Sequence, residues 1–299
     1  MRRIKRFTKA LKLAGKSLLC CKKTSTDPVI VPSTGDTKMS DKILLVGINA
    51  YPSCPLAGCV NDVTDMANFL VTKCGVLEDN IRLLVDGRAT TGNILDRLNW
   101  LTQASPGDRV LFHYSGHGAQ VPARNSSGEI DQLSECICPV DFDWSEQRMI
   151  IDKQFVEIFK KIPPGVRFSW ISDSCHSGDL DRGLTKGNSK VLGIRRFPIP
   201  ADIAWRQRIA KKKALRAMVG NTLDVGYISG CMDNQTSADA EFGGKANGAL
   251  TYFLLRNLGN MLQSPISSVT NKVISDLQSS GYEQTPTCSG ARKDLAFLS

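Results

Sequence analysis

Two short apolar runs end in the same way, and together they restrict the fold more than any other feature of the chain. Asp108-Arg-Val-Leu-Phe-His-Tyr-Ser-Gly-His117-Gly118 and Arg167-Phe-Ser-Trp-Ile-Ser-Asp-Ser-Cys175-His-Ser-Gly178 each pass from apolar residues into small, polar ones. Each reads as one buried strand handing over to a sharp turn. Asp41-Lys-Ile-Leu-Leu-Val-Gly-Ile-Asn49 and Ile81-Arg-Leu-Leu-Val85 are further runs of this kind, with helical patterns between. Asn61 is placed to cap a helix reaching about Lys73, and Ile94, Leu95, Leu98 and Leu101 share one face of a helix over Thr91 to Gln103. Strands alternating with helices predict a mostly parallel α/β sheet covered on both faces.

In open sheets of this kind, ligands and chemistry collect outside the carboxyl ends of the strands. If the two runs lie side by side and parallel, His117 and Cys175 project from neighbouring strand ends. A thiol becomes a strong nucleophile when a positioned base favours its thiolate. The chain has ten cysteines, and free cysteine is commonly a small buried hydrophobe; histidine is scarcer, with only His113, His117 and His176. His117 and Cys175 form the candidate dyad because matching strand ends carry them.

Tyr114-Ser115-Gly116-His117-Gly118 and Asp173-Ser174-Cys175-His176-Ser177-Gly178 resemble the histidine and cysteine blocks of metacaspases, within the caspase-like cysteine peptidases. The 58 residues separating His117 from Cys175 are close to the caspase spacing of about 50. A third block, Tyr227-Ile-Ser-Gly-Cys-Met-Asp-Asn-Gln-Thr-Ser-Ala-Asp239, resembles the family's small-subunit strand and loop, and the likeness extends over roughly Lys42 to Phe297. It implies a caspase-like three-layer sandwich with a six-stranded, mostly parallel sheet. It also implies an endopeptidase in which Cys175 attacks a peptide carbonyl and His117 delivers a proton to the leaving amine. The backbone N–H groups of Gly118 and Cys175 would receive the oxyanion. No third member of the dyad is legible, and the chemistry requires no cofactor.

Substrate choice follows from the same resemblance. Caspases, which cut after Asp, have a neutral residue where this chain has Asp173, and the family pattern makes Asp62 a second carboxylate in the specificity pocket. Two carboxylates select a cation, Arg above all for its bidentate fork. Polypeptides cut after Arg or Lys are the expected partners. The resemblance further implies calcium activation through Asp131, Asp152, Asp179 and Asp181, since Ca²⁺ takes about six to eight oxygens. The chain departs from the pattern at Ser134-Glu135, where Asp-Glu is common, and at Lys153, where a second Asp often stands.

Charge divides the chain. Residues 1–23 hold nine bases and no acid, leaving 29 of the 38 bases to balance 29 acids, so the net charge of +9 belongs to this leader. The balanced remainder gives no support for nucleic-acid binding. Ile4, Phe7, Leu11, Ala14 and Leu18 form a helical stripe between basic faces, which suits an anionic membrane surface as well as a solvated pro-segment. Residues 24–40 read as a linker and 41–299 as the peptidase domain, divided into 41–180, a basic loop over 181–220, and 221–299. The loop carries eleven Lys or Arg against Asp181 and Asp202. Taken as solvated, with a short helix, it is the expected self-cleavage target.

Elsewhere the pattern predicts a long polar loop from Gly118 to about Gln147 and a helix near Lys153–Lys161. Beyond the basic loop it predicts a strand near Val225–Ser229, helices near Ala249–Asn257 and Ile266–Ser279, and a terminal strand near Leu295. Ten cysteines without an export signal point to a reducing, cytoplasmic setting, and the family habit is a monomer. Two rival readings remain at this stage: a metal hydrolase using His113 and His117, and a catalytically silent scaffold.

Overall fold

The computed structural model describes residues 40–124, 127, 130–176, 190–208, 211–212, 223–232 and 235–299, with side chains undescribed at Arg124, Asp131, Lys211 and Lys212. The leader, most of the linker and both Asp179 and Asp181 therefore lie outside the described residues. Six strands make the central sheet: β1 (Asp41–Gly47), β2 (Ile81–Val85), β3 (Arg109–Ser115), β7 (Arg167–Asp173), β10 (Gly226–Ser229) and β13 (Thr287–Ser289). Their order is β13-β10-β7-β3-β1-β2, all parallel except the edge strand β13.

Alternation along β1 fills both layers, because successive side chains of a strand point to opposite faces. Leu44 and Val46 join Phe112, Trp170 and the helices α2 (Thr91–Leu101) and α3 (Asp152–Phe159). Ile43 and Leu45 join Leu111, Ile171 and the helices α1 (Cys59–Cys74), α5 (Ala249–Met261) and α6 (Ile266–Ser279). The three-layer α/β architecture expected from the alternation is present.

Four local expectations are corrected. Helix α1 starts at Cys59, ahead of Asn61; the Asn49 side chain accepts the Cys59 N–H at 2.8 Å from outside the helix, while Asn61 donates to the Ala246 carbonyl. The polar loop after His117 is a hairpin, β4 (Gly118–Arg124) with β5 (Ile130–Ile137), joined by the short β6 (Ile150–Ile151). Ala119 and Val121 give β4 a buried face within a stretch that is polar overall. The terminal strand is β13, which ends six residues before Leu295, an exposed residue in a bend.

The basic loop is the fourth. Its described part holds a strand, β8 (Val191–Ile194), a helix, α4 (Ala201–Gln207), and the two-residue β9 (Lys211–Lys212). Strand β8 pairs antiparallel with β11 (Ala238–Phe242), which pairs in turn with β12 (Lys245–Gly248). Arg195, immediately after β8, has no exposed surface at all. A solvated reading of the loop fails there.

Candidate active site

Strands β3 and β7 are direct parallel neighbours, with Ser115 opposite Asp173. His117 and Cys175, each two residues further on, therefore emerge side by side at the carboxyl edge of the sheet. The His117 N–H donates to the Tyr51 hydroxyl at 3.0 Å, and the Tyr114 hydroxyl donates to the His117 carbonyl at 2.7 Å. The imidazole Nε2 lies 2.7 Å from the Cys54 carbonyl oxygen, which accepts only if Nε2 carries the proton. That leaves Nδ1 as the basic nitrogen, buried and without a hydrogen-bond partner. Burial pushes the His117 pKa down to about 4 against the pull of the Cys54 carbonyl, so the ring is neutral.

Cys175 is buried, and its Sγ lies against the Ser237 N–H and 3.8 Å from the Cys231 Sγ. Its backbone does something more informative. The N–H groups of Cys175 and Gly118 both donate to one carbonyl oxygen, that of Arg195, each at 3.1 Å. A methyl on Gly118 would overlap the Cys175 carbonyl, so only glycine lets the two amides converge.

The Arg195 side chain fills the adjoining pocket. Its Nη2 donates to Asp62 at 2.6 Å and to Asp239 at 2.9 Å; its Nη1 donates to the Ser115 hydroxyl at 2.7 Å and pairs with Asp173 at 3.2 Å. All four partners are buried. Asp62 also accepts from Ser115, Asn247 and the Gly248 N–H, while Asp173 accepts from Ser237 and Thr251 and Asp239 from the Ala57 and Gly58 amides. Those donors let three carboxylates sit around one guanidinium. Burial works against the Arg195 charge, but Asp173, Asp62 and Asp239 outweigh it and hold the guanidinium protonated. Burial pushes the Asp62 carboxyl up to about 6, with Arg195 pulling the other way.

Asp62 and Asp173, expected to line a specificity pocket, are brought together around the Arg195 guanidinium. Asp239 was missed, although it closes the third block of the resemblance. The Cys54 carbonyl was missed because a backbone oxygen has no sequence signature. His113 does not join His117: its Nε2 faces the Thr251 hydroxyl at 3.4 Å on the α5 side of the sheet, which removes the ligand pair a metal hydrolase needed. Of the acids assigned to calcium, Asp152 is buried at the start of α3, where it accepts the Lys153 N–H at 2.7 Å and burial raises its pKa. Among the described residues, no three His, Cys, Asp or Glu side chains gather as a metal would need.

Metacaspase-1 of Mycosarcoma maydis is 32% identical over 295 residues, spanning 86% of this chain and 72% of that protein. The chain belongs to the metacaspases. Metacaspase-1A of Aspergillus fumigatus matches at 32% over 83% of this metacaspase and 68% of its own length. The family model for the metacaspase peptidase C14 domain covers residues 41–181. Among solved structures, a Geobacter sulfurreducens protein superposes with a TM-score of 0.60 at 27% identity, covering 84% of this metacaspase and 94% of that chain. Caspase-1 of Spodoptera frugiperda superposes at 0.56 and 12% identity, over 87% and 90% of the two chains, which establishes the caspase-like fold. The metacaspase is a cysteine-type peptidase by family.

Proposed function

We propose that this metacaspase cuts polypeptides after Arg or Lys with a Cys175/His117 dyad, and that its first substrate is its own Arg195–Arg196 bond. One observation carries the reading: Arg195 has its guanidinium on Asp62, Asp173 and Asp239 while its carbonyl accepts from the Gly118 and Cys175 amides. A substrate residue before a scissile bond needs both placements at once. The reaction begins with release of Sγ from the Ser237 amide and transfer of its proton to His117 Nδ1. The thiolate attacks the Arg195 carbonyl carbon, and charge grows on the oxygen already held by two N–H groups. His117 then protonates the departing Arg196 amine, and water hydrolyses the thioester.

The test uses purified wild type and Cys175→Ala with fluorogenic peptides ending in Arg, Lys or Asp, while a gel follows the chain itself. Arg and Lys peptides are hydrolysed and the Asp peptide is not; Cys175→Ala loses about 10³-fold or more. Sequencing of the released fragment begins at Arg196, and Arg195→Ala remains uncut at that bond. An active Cys175→Ala enzyme would end the proposal. Calcium activation through Asp131, Asp152, Asp179 and Asp181 belongs to the same reading. It is supported by a rate increase in millimolar Ca²⁺ that Asp152→Asn removes, and refuted by identical rates in calcium and chelator.

A further inference from the structure

The segment carrying Arg195 continues across the site, and the residues after the proposed scissile bond have partners of their own. Gly118 forms a parallel bridge with Arg196, and the Phe197 N–H donates to the Gly118 carbonyl at 2.9 Å. Segment 195–197 thus runs beside the start of β4 as an added strand would. The Phe197 ring is 9% exposed. Its centroid lies 4.9 Å from Phe142, 5.6 Å from His117, 5.9 Å from Tyr51 and 6.1 Å from Trp144, each pair tilted edge-on at 68° to 81°. Edge-to-face contact at these separations is the favoured geometry for aromatic pairs.

The wall of this pocket is built rather than incidental. Trp144 has φ of 69°, a left-handed backbone that a bulky residue seldom adopts. Asp143 fixes it by accepting from the Ser145 N–H at 3.0 Å and the Ser145 hydroxyl at 2.5 Å, and Arg148 pairs with the same carboxylate at 3.2 Å. Unusual backbone of this kind persists only where the surroundings over-determine it, and it clusters at ligand clamps. Here it brings the Trp144 indole against Phe142, 5.0 Å between centroids, and against Phe197.

We propose that Tyr51, Phe142 and Trp144, with the outer edge of His117, form a specificity subsite for an aromatic side chain two residues beyond the cleaved bond. It rests on the reading of Arg195 as the residue before that bond, and it narrows the substrate class from any chain with Arg or Lys to one with Arg or Lys, any residue, then an aromatic. Such a ring lies against His117 and shields the imidazole from water on the leaving-group side. Its binding is realised only by substrates that extend past the bond, so short Arg-ending dye peptides never report it.

Two quenched-fluorescence peptides test this on the self-processed wild-type enzyme. Both copy residues 191–200 with Arg196→Ala, so that only the bond after Arg195 follows a cation; one keeps Phe197 and the other has Phe197→Ala. The Phe peptide is cleaved with kcat/KM about tenfold higher, and Phe142→Ala and Trp144→Ala each bring that ratio towards one. Because it is a ratio within one preparation, partial unfolding of a variant cancels. Equal rates for the two peptides on wild type overturn the subsite, and a ratio unchanged in both variants overturns its location. Failure to cut an Arg-ending dye peptide overturns the underlying specificity instead, and the subsite falls with it.

Discussion

Stripping a guanidinium of water costs several kcal/mol, a cost repaid only by well-aimed partners, and Arg195 is stripped completely. Its partners differ in what they contribute. Asp62 and Asp239 share Nη2, whereas Asp173 pairs with Nη1. Replacing Asp62 or Asp239 by Asn is expected to weaken recognition of Arg substrates by roughly 2–5 kcal/mol, seen as a fall in kcat/KM with the peptide-bond chemistry intact. Gly248 sits at ordinary backbone angles, yet a methyl there would overlap both Asp173 and the Arg195 guanidinium. Gly248→Ala should therefore lose about tenfold or more on Arg peptides and also lower the midpoint of thermal unfolding, in proportion to the overpacking. Acid acts on the same pocket. Burial raises Asp62 to about 6 against the pull of Arg195. Activity on Arg peptides should fall as pH drops through about 6, because protonated Asp62 no longer attracts the cation. A pH profile of kcat/KM checks this, and Asp62→Asn should erase that acid limb.

Elements of the sheet were far more legible than the ends that bear chemistry. Helix α6 matches its predicted bounds, and β10 begins within a residue of its own, because burial on one or both faces writes a period into the sequence. The hairpin β4–β5 was hidden by Pro122 and by polar residues such as Gln120 and Glu135 that are buried all the same. Arg195 was hidden more thoroughly. Eleven bases in a row of loop residues read as solvated by the ordinary rule that Lys and Arg stay outside, and only three carboxylates arriving from α1, β7 and β11 reverse it. Nothing local in the sequence announces that meeting. Where the core is apolar, the element scale also sets stability. Trp170 of β7 packs against Phe112, Phe155, Phe159 and Tyr227 at centroid separations of 4.4 to 6.0 Å. Trp170→Ala should cost about 3–5 kcal/mol, visible as a lowered midpoint in thermal unfolding.

At the scale of the whole molecule, the basic segment joins two groups of strands that belong to one sheet. β7 precedes it and β10 follows it, yet they pair in parallel with Trp170 opposite Tyr227. A cut at Arg195 severs the covalent link and leaves that pairing untouched, so the two fragments should elute together in native gel filtration and separate only in denaturant. The antiparallel pairing of β8 with β11 has a less obvious result. It lies upstream of the proposed cut, so a new carboxyl terminus made there would stay zipped to the rim of the pocket with its arginine still inside. If the chain is cut there as proposed, the enzyme would begin life as a complex with its own product, at the high effective concentration that tethering confers. Scission and liberation then run on separate clocks: fragments appear first, turnover of added peptide lags behind them, and the length of the delay measures how fast one short strand peels away.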